Sequence, residues 1–341
     1  MITLNETPKR TSKNFNINNI SLDTVGAGLL ARPHFSNMQV IGDLSVSDAQ
    51  FDTSLTYGIG VKDEPNKGLK VLLKNGENII NFELDKENNS LIDNIEITAN
   101  PNVESTLIIN YISKDDSTSY HNGIIKLFAK KDSNVKIVIT NFLNNNTTNL
   151  LSVENVLEEN ANVTYTVVDF GAKKSISNLY SNLVGDKAKH SINTIYLGGE
   201  DQLFDINYIA ELRGKKTDIN IEAQGALKDK AVKHFKGTID FKKGAKKAVG
   251  NENESCMLLS NEAKSVALPM LLCSEEDVEG NHASSSGKID DKELFYIMSR
   301  GFDRKEAMKL VVKAKFNSIL ETIDNEELKE KIMQKIDEKL M

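Results

Sequence analysis

The 341-residue chain is 39% hydrophobic and 27% charged, with a formal net charge of −7. It can bury a large core, and it lacks the basic balance of a surface that neutralises nucleic-acid phosphates. Two cysteines, Cys256 and Cys273, cannot supply the four thiolates of an ordinary Fe–S or all-cysteine zinc site, and the absence of Trp argues against a sugar-stacking groove.

Residues 1–65 are the least regular part of the chain and are expected to form an N-terminal arm or cap. The opening MITLNETPKRTSKNF carries no apolar signal core, and no apolar run approaches the roughly 20 residues that span a bilayer, so the expected location is the cytoplasm. Gly26 and Gly28 follow no strand pattern and precede no capped helix, which sets aside a nucleotide-binding loop.

From residue 66 to 287 short strand-like segments alternate with polar turns. LKVLL (69–73), NIINFEL (78–84), STLIINY (105–111), NVKIVIT (134–140) and NVTYTVV (162–168) alternate apolar and polar residues and are rich in β-branched side chains. No helical period interrupts them, so a βαβ fold is not expected. A polar turn leading into a new strand recurs at Asn102, Asn134, Ala161, Ala188, Lys216 and Ala245, at spacings of 32, 27, 27, 28 and 29 residues. A seventh marker, Ala263, follows after 18. A period of this size built from strands alone points to a β-solenoid with two or three strands per coil. A β-sandwich is the competing architecture, and the periodicity favours the solenoid. NFLNNNTTN (141–149) fits a turn in which Asn side chains bond their own backbone.

After Ser284-Ser285-Ser286-Gly287 the pattern becomes helical, and residues 288–341 are expected to form a separate helical domain. Asp290 or Asp291 caps a first helix carrying Leu294, Phe295, Ile297 and Met298, which ends at Arg300-Gly301. Asp303 caps a second, whose apolar positions, including Leu310, are wide enough to pack on two sides. A third places Leu328, Ile332, Ile336 and Leu340 in one narrow stripe. This tail carries 12 basic and 12 acidic residues, so it is not a charge-steered binder of nucleic acid or membrane.

The junction between the two regions resembles the SufB/SufD family of iron–sulfur cluster assembly proteins. Asn261-Glu262-Ala263, Pro269, Asp277-Val278, His282-Ala283, Asp291-Lys292-Glu293-Leu294-Phe295-Tyr296 and Ser299-Arg300-Gly301 carry the resemblance. Phe235-Lys236-Gly237-Thr238-Ile239, Lys243-Gly244-Ala245 and Asn251 support it upstream. The resemblance implies a mainly β protein, a right-handed parallel β-helix followed by a C-terminal helical domain. It also implies a non-catalytic scaffold subunit that pairs through its last β-helix rungs with a SufB-type subunit. The helical domain of such a subunit docks an ABC ATPase, SufC, which hydrolyses the ATP, and a transient Fe–S cluster or iron sits at the subunit interface.

Carried onto this chain, His282 falls where SufD-type members have an interface His and SufB-type members a Glu. Gly280 stands where many SufD proteins have a Cys, and the scaffold Cys of SufB-type members falls near Glu254. The long Cys-bearing N-terminal region of SufB-type members has no counterpart here. The candidate metal residues are therefore His282 first, then Glu279, Glu254, Cys273 and Cys256. Cys273 and Cys256 also fit as small apolar strand residues, and the two glutamates as solvated carboxylates. Leu294, Phe295, Tyr296, Arg300 and Gly301 are the candidate ATPase contacts. His34, His121, His190 and His234 have no sequence neighbours at ligand spacing. Pairing with a SufB-type chain is the leading expectation and a minimal homodimeric scaffold the second. A β-helix carbohydrate-active enzyme is remote, since no Arg/Lys/Asp constellation shares a rung.

Overall fold

The computed structural model describes residues 2–3, 5–8, 21–22, 34–48, 53–59 and 65–341. The patch Val25–Leu30 and its two glycines lie outside the described residues. β1 (Ile2–Thr3) and β2 (Ser21–Leu22) form a small antiparallel pair, and β3 (Met38–Ile41) and β4 (Ser45–Asp48) follow. β5 (Lys67–Leu72), β6 (Gly76–Leu84), β7 (Ser90–Ala99), β8 (Glu104–Ser113), β9 (Ser119–Ala129), β10 (Asn134–Phe142) and β11 (Thr147–Leu157) begin a solenoid. It continues through β12 (Asn162–Asp169), β13 (Lys174–Leu183), β14 (Lys189–Gly198), β15 (Leu203–Leu212) and β16 (Asp218–Leu227). β17 (Val232–Phe241), β18 (Ala248–Leu258), β19 (Lys264–Cys273) and β20 (Val278–Lys288) complete it.

Even-numbered strands from β6 stack in one parallel sheet and odd-numbered strands from β5 in another, so each of about eight coils contributes one strand to each sheet. The parallel β-solenoid expected from the period is the fold. Register steps run from 26 residues (Lys67 to Asp93) to 32 (Val232 to Lys264). The short spacing to Ala263 is a half-coil: Ala245 precedes β18 in the even sheet, whereas Ala263 precedes β19 in the odd one.

The corner before each even strand from β8 to β18 uses a residue in the left-handed region, at Asn102, Asp132, Asn160, Lys187, Lys216 and Lys247. Asn and Asp tolerate this conformation through their short polar side chains, whereas each Lys costs on the order of 1 kcal/mol there. Bonds between successive corners, such as Asn160 N–H to Asp186 O at 2.9 Å, hold the stack together. Asn144 closes another turn by accepting from the Asn146 N–H at 2.8 Å and donating to Asp115 O and Ser117 O.

Inward-facing residues form one continuous core from Leu69 to Ala263. The two outer faces are covered differently. The outer face of the even sheet is apolar (Ile108, Val138, Phe142, Val168, Phe170, Ile195) and receives α2 (Arg304–Leu320) and α3 (Glu326–Lys339). Leu328, Ile332, Ile336 and Leu340 all enter that contact. Ala307 and Val311 of α2 pack instead against Leu294 of α1 (Asp291–Met298), so α2 is covered on two sides, although Leu310 stays exposed. Asp290, Asp303 and Asn325 cap the three helices, Asp303 through a capping box with Glu306. The outer face of the odd sheet is covered by residues 53–59 and 5–7 of the N-terminal region. Tyr57 packs edge-on to Tyr180 at 5.0 Å and the Ile59 N–H donates to Ser152 Oγ at 3.0 Å.

Candidate functional site at the open end of the solenoid

The solenoid's two ends differ. At the first, β3 and β4 pair antiparallel with β6 and β5. At the other, β19 and β20 each pair on one side only among the described residues. Inward positions change character as this open end is approached. β16 presents Ile219, Ile221, Ala223 and Gly225, whereas the aligned positions of β18 are Gly250, Glu252, Glu254 and Cys256. Over these lie Gly280, His282, Ser284 and Ser286 of β20. On the facing sheet, Lys233, Phe235 and Gly237 of β17 are followed by Ser265, Ala267 and Pro269 of β19.

Glu254 is fully buried and accepts three hydrogen bonds: from Lys233 Nζ at 2.7 Å, Tyr196 Oη at 2.8 Å and Ser284 Oγ at 3.0 Å. Lys233 is itself fully buried. The expectation of a solvated carboxylate at Glu254 is therefore corrected, because the strand's two-residue period turns it into the coil. Tyr196 reaches Glu254 from two coils away because Gly225 leaves its ring room: a Cβ there would lie 1.9 Å from it. Cys256 is buried beside this group, and burial pushes its thiol up, with Lys233 partly opposing the shift. As placed, Glu254 is engaged and Cys256 is a protonated apolar neighbour.

Glu252 is the residue that sequence reasoning passed over. It is 2% exposed, and among the described residues neither carboxylate oxygen has a hydrogen-bond partner. Gly237 makes room for it, since a Cβ there would lie 2.1 Å from Oε1. Burial, and then the nearby Glu254 charge, push its carboxyl up to about 8, so it carries a proton at neutral pH. Its register partner is His282, one strand further out. The Ser284–Glu254 bond fixes which face of β20 points inward, and the same alternation aims His282 at Glu252. The signal available in the sequence was the alternation N-E-N-E-S of residues 251–255, with both acids on one face.

The other candidates are dispersed. Glu279 is exposed on the β20 face opposite His282. Cys273 is exposed, and its Sγ lies 2.8 Å from Glu275 O. The apolar run MLLC predicts a core position for it, and it is exposed instead because, among the described residues, β19 ends its sheet and nothing stacks over it. Cys273 and Cys256 sit on different sheets. Among the described residues no three His, Cys, Asp or Glu side chains converge as a metal site, so one chain offers His282 and Glu252 as a partial set. His121, which lacked sequence neighbours, is fully buried with Nε2 2.7 Å from Asp93 Oδ1 and Nδ1 2.5 Å from Asn149 Oδ1. Both partners stand 28 residues away, one coil to either side.

α1 continues from β20 through Ile289 and Asp290. Leu294 is buried against Ala307 and Val311, while Phe295 and Tyr296 are 73% and 59% exposed. The Arg300 guanidinium donates to Tyr296 Oη at 2.8 Å, and Gly301 takes a φ of +101° to end the helix. Met298 and Phe302 extend the exposed apolar patch.

The family profile described as "SUF system FeS cluster assembly, SufBD core domain" matches residues 82–315, which include all the residues of this end. The chain belongs to the SufBD family. It is 25% identical over 308 residues to the iron–sulfur cluster assembly protein SufD of Bacillus subtilis, covering 80% of this chain and 70% of that one. It is also 26% identical over 196 residues to an iron–sulfur cluster assembly SufBD family protein of Staphylococcus saprophyticus, covering 58% of this chain and 42% of the relative. A Staphylococcus haemolyticus member is 25% identical over a stretch of the same length, again spanning 42% of the relative. Among the described residues no helix is long and apolar enough to cross a membrane.

Proposed function

We propose that this SufBD-family chain is a non-catalytic subunit of an iron–sulfur cluster assembly scaffold. It pairs through β19 and β20 with a SufB-type subunit and docks a SufC-type ABC ATPase on α1. The observation that carries this reading is the open end, where two ten- and eleven-residue strands have unpaired edges above a buried acid pair. Unpaired parallel edges of that length are a template for a second chain unless protected. Glu252 and His282 lie where a second subunit would close over them.

The substrate at this end is iron or a nascent cluster held between two chains. His282 supplies imidazole nitrogen and Glu252, once deprotonated, carboxylate oxygen, a harder donor set than four thiolates. Such mixed ligation suits a product that is to be handed on. The exposed Phe295–Tyr296 patch, on the helix that begins two residues after β20, supports the ATPase contact, since aromatic side chains with a nearby Arg anchor protein interfaces.

Co-expression with a SufB-type subunit and SufC tests the reading. A complex that survives purification and is lost on Phe295→Ala/Tyr296→Ala supports it. Purification of this chain as a dimer carrying iron on its own would favour the homodimeric scaffold instead. The self-complementary character of an exposed sheet edge is what keeps that second reading open.

A further inference from the structure

The outer face of β13, β15 and β17 carries a polar cluster that the functional reading does not use. Asn178, Asp205, Asn207 and Lys236 are all buried there, on the side of the odd sheet facing away from the core. What covers them is a short piece of the N-terminal region, residues 5–7. Asn5 is only 3% exposed and its polar atoms are engaged one by one. Its Nδ2 donates to Ser177 O at 3.0 Å, to Asp205 O at 3.2 Å and to Asp205 Oδ1. Its Oδ1 accepts from Asn178 at 3.1 Å, and its main-chain O accepts from Lys236 Nζ at 2.7 Å and Asn207 at 3.3 Å. Glu6 O accepts from Asn207 at 3.1 Å. Asn5 also adopts φ +58°, a conformation Asn reaches more readily than most residues.

Two features distinguish this contact from ordinary covering of a sheet. The even sheet buries its outer face with apolar side chains, which costs no desolvation of charge. Here the chain buries a Lys236–Asp205 ion pair at 2.7 Å, with His234 Nδ1 3.5 Å from the other Asp205 oxygen. Buried pairs of this kind give selectivity more readily than net stability. Asn178 Oδ1, Asn207 Oδ1 and Thr238 Oγ1 also lack hydrogen-bond partners, so residues 5–7 satisfy the groove incompletely. An incompletely matched occupant leaves by a lower barrier than a complete one.

β17 connects this groove to the open end. Its outward residues His234 and Lys236 contact Asp205, and Lys236 holds Asn5. Its inward residues Lys233 and Gly237 contact Glu254 and make room for Glu252. We propose that this face is a recognition groove for a short peptide anchored by an Asn in the left-handed conformation, occupied in cis by residues 5–7, and that its occupancy holds β17 against the buried acid pair. Displacement of the strap loosens β17 and gives solvent access to Cys256. The inference goes beyond the scaffold reading and stands without it, because its readout needs neither iron nor a partner.

The test uses the full chain with Cys273→Ser, so that Cys256 is the single thiol, and follows its labelling by a maleimide. Asn5→Ala should raise the labelling rate on the order of tenfold, and a free peptide of residues 1–8 should return it towards the parent value, whereas the same peptide with Asn5→Ala should not. Hydrogen exchange should rise in β17 and stay unchanged in β7 to β9. Asn207→Ala, which leaves Asn5 intact and removes one bond to Asn5 O and one to Glu6 O, should give a smaller rise in the same strand. Unchanged labelling in both variants overturns the clamp. Labelling that rises with Asn5→Ala but ignores the peptide overturns the groove.

Discussion

Inside the coil, the two ends of the solenoid use buried polar groups in opposite ways. Near the first end the interior chain is closed. Tyr111 donates to Asp93, His121 bridges Asp93 and Asn149, Asn149 donates to Ser175, and Ser175 donates to Asp169. That end is also capped by β3 and β4. At the other end, among the described residues, Glu252 has no hydrogen-bond partner, Glu254 has Lys233 as its one cationic partner, and the strand edges above them are unpaired. Polar groups that are satisfied inside a low-dielectric core fix a structure, and those left unsatisfied mark where something else completes it.

The largest expected effect comes from breaking the buried Lys233–Glu254 pair at the open end. Lys233→Met leaves Glu254 charged and buried, and should cost about 3–5 kcal/mol in denaturant unfolding. Lys233→Met with Glu254→Gln should recover most of that loss. A single Lys233→Met variant as stable as the parent would mean that this end relaxes enough to hydrate Glu254.

A smaller, pH-dependent effect belongs to Glu252. Folding raises its carboxyl from 4.5 to about 8, so between those values the folded chain holds a proton that the unfolded chain has released. Its contribution is full below pH 4.5 and is lost as the pH rises to about 8. Glu252→Gln lacks this loss, so its stability relative to the parent should climb across that window. A difference that stays flat with pH would show that Glu252 finds a partner in solution. The smallest effect on stability is expected at Phe295 and Tyr296. Replacing both with Ala should shift unfolding by no more than about 0.5 kcal/mol, since both are exposed, while abolishing ATPase capture.

How much of this was written in the sequence depends on the range of the interaction. Alternation in NVKIVIT and the recurring turns define strands and coil length because both are local, and the caps at Asp290 and Asp303 are legible for the same reason. The site was legible only in part. His282 and the Phe295–Tyr296 block were reached through family resemblance. Glu252, Lys233 and Tyr196 were not, because what makes them unusual is a neighbour a coil or more away: Tyr196 and Glu254 are 58 positions apart. Cys273 was misplaced for a related reason, since an apolar run such as MLLC does not say whether another coil follows it. The polar groove under Asn5 was the hardest to see, as its contacts span 172 to 231 residues of sequence.

The most direct test of the central claim is an anaerobic assay of iron and sulfide on the complex of this chain with a SufB-type subunit and SufC, comparing the parent with His282→Ala. The account predicts that the variant loses most of the iron and sulfide while the complex stays assembled. Unchanged iron and sulfide in an intact complex would contradict it.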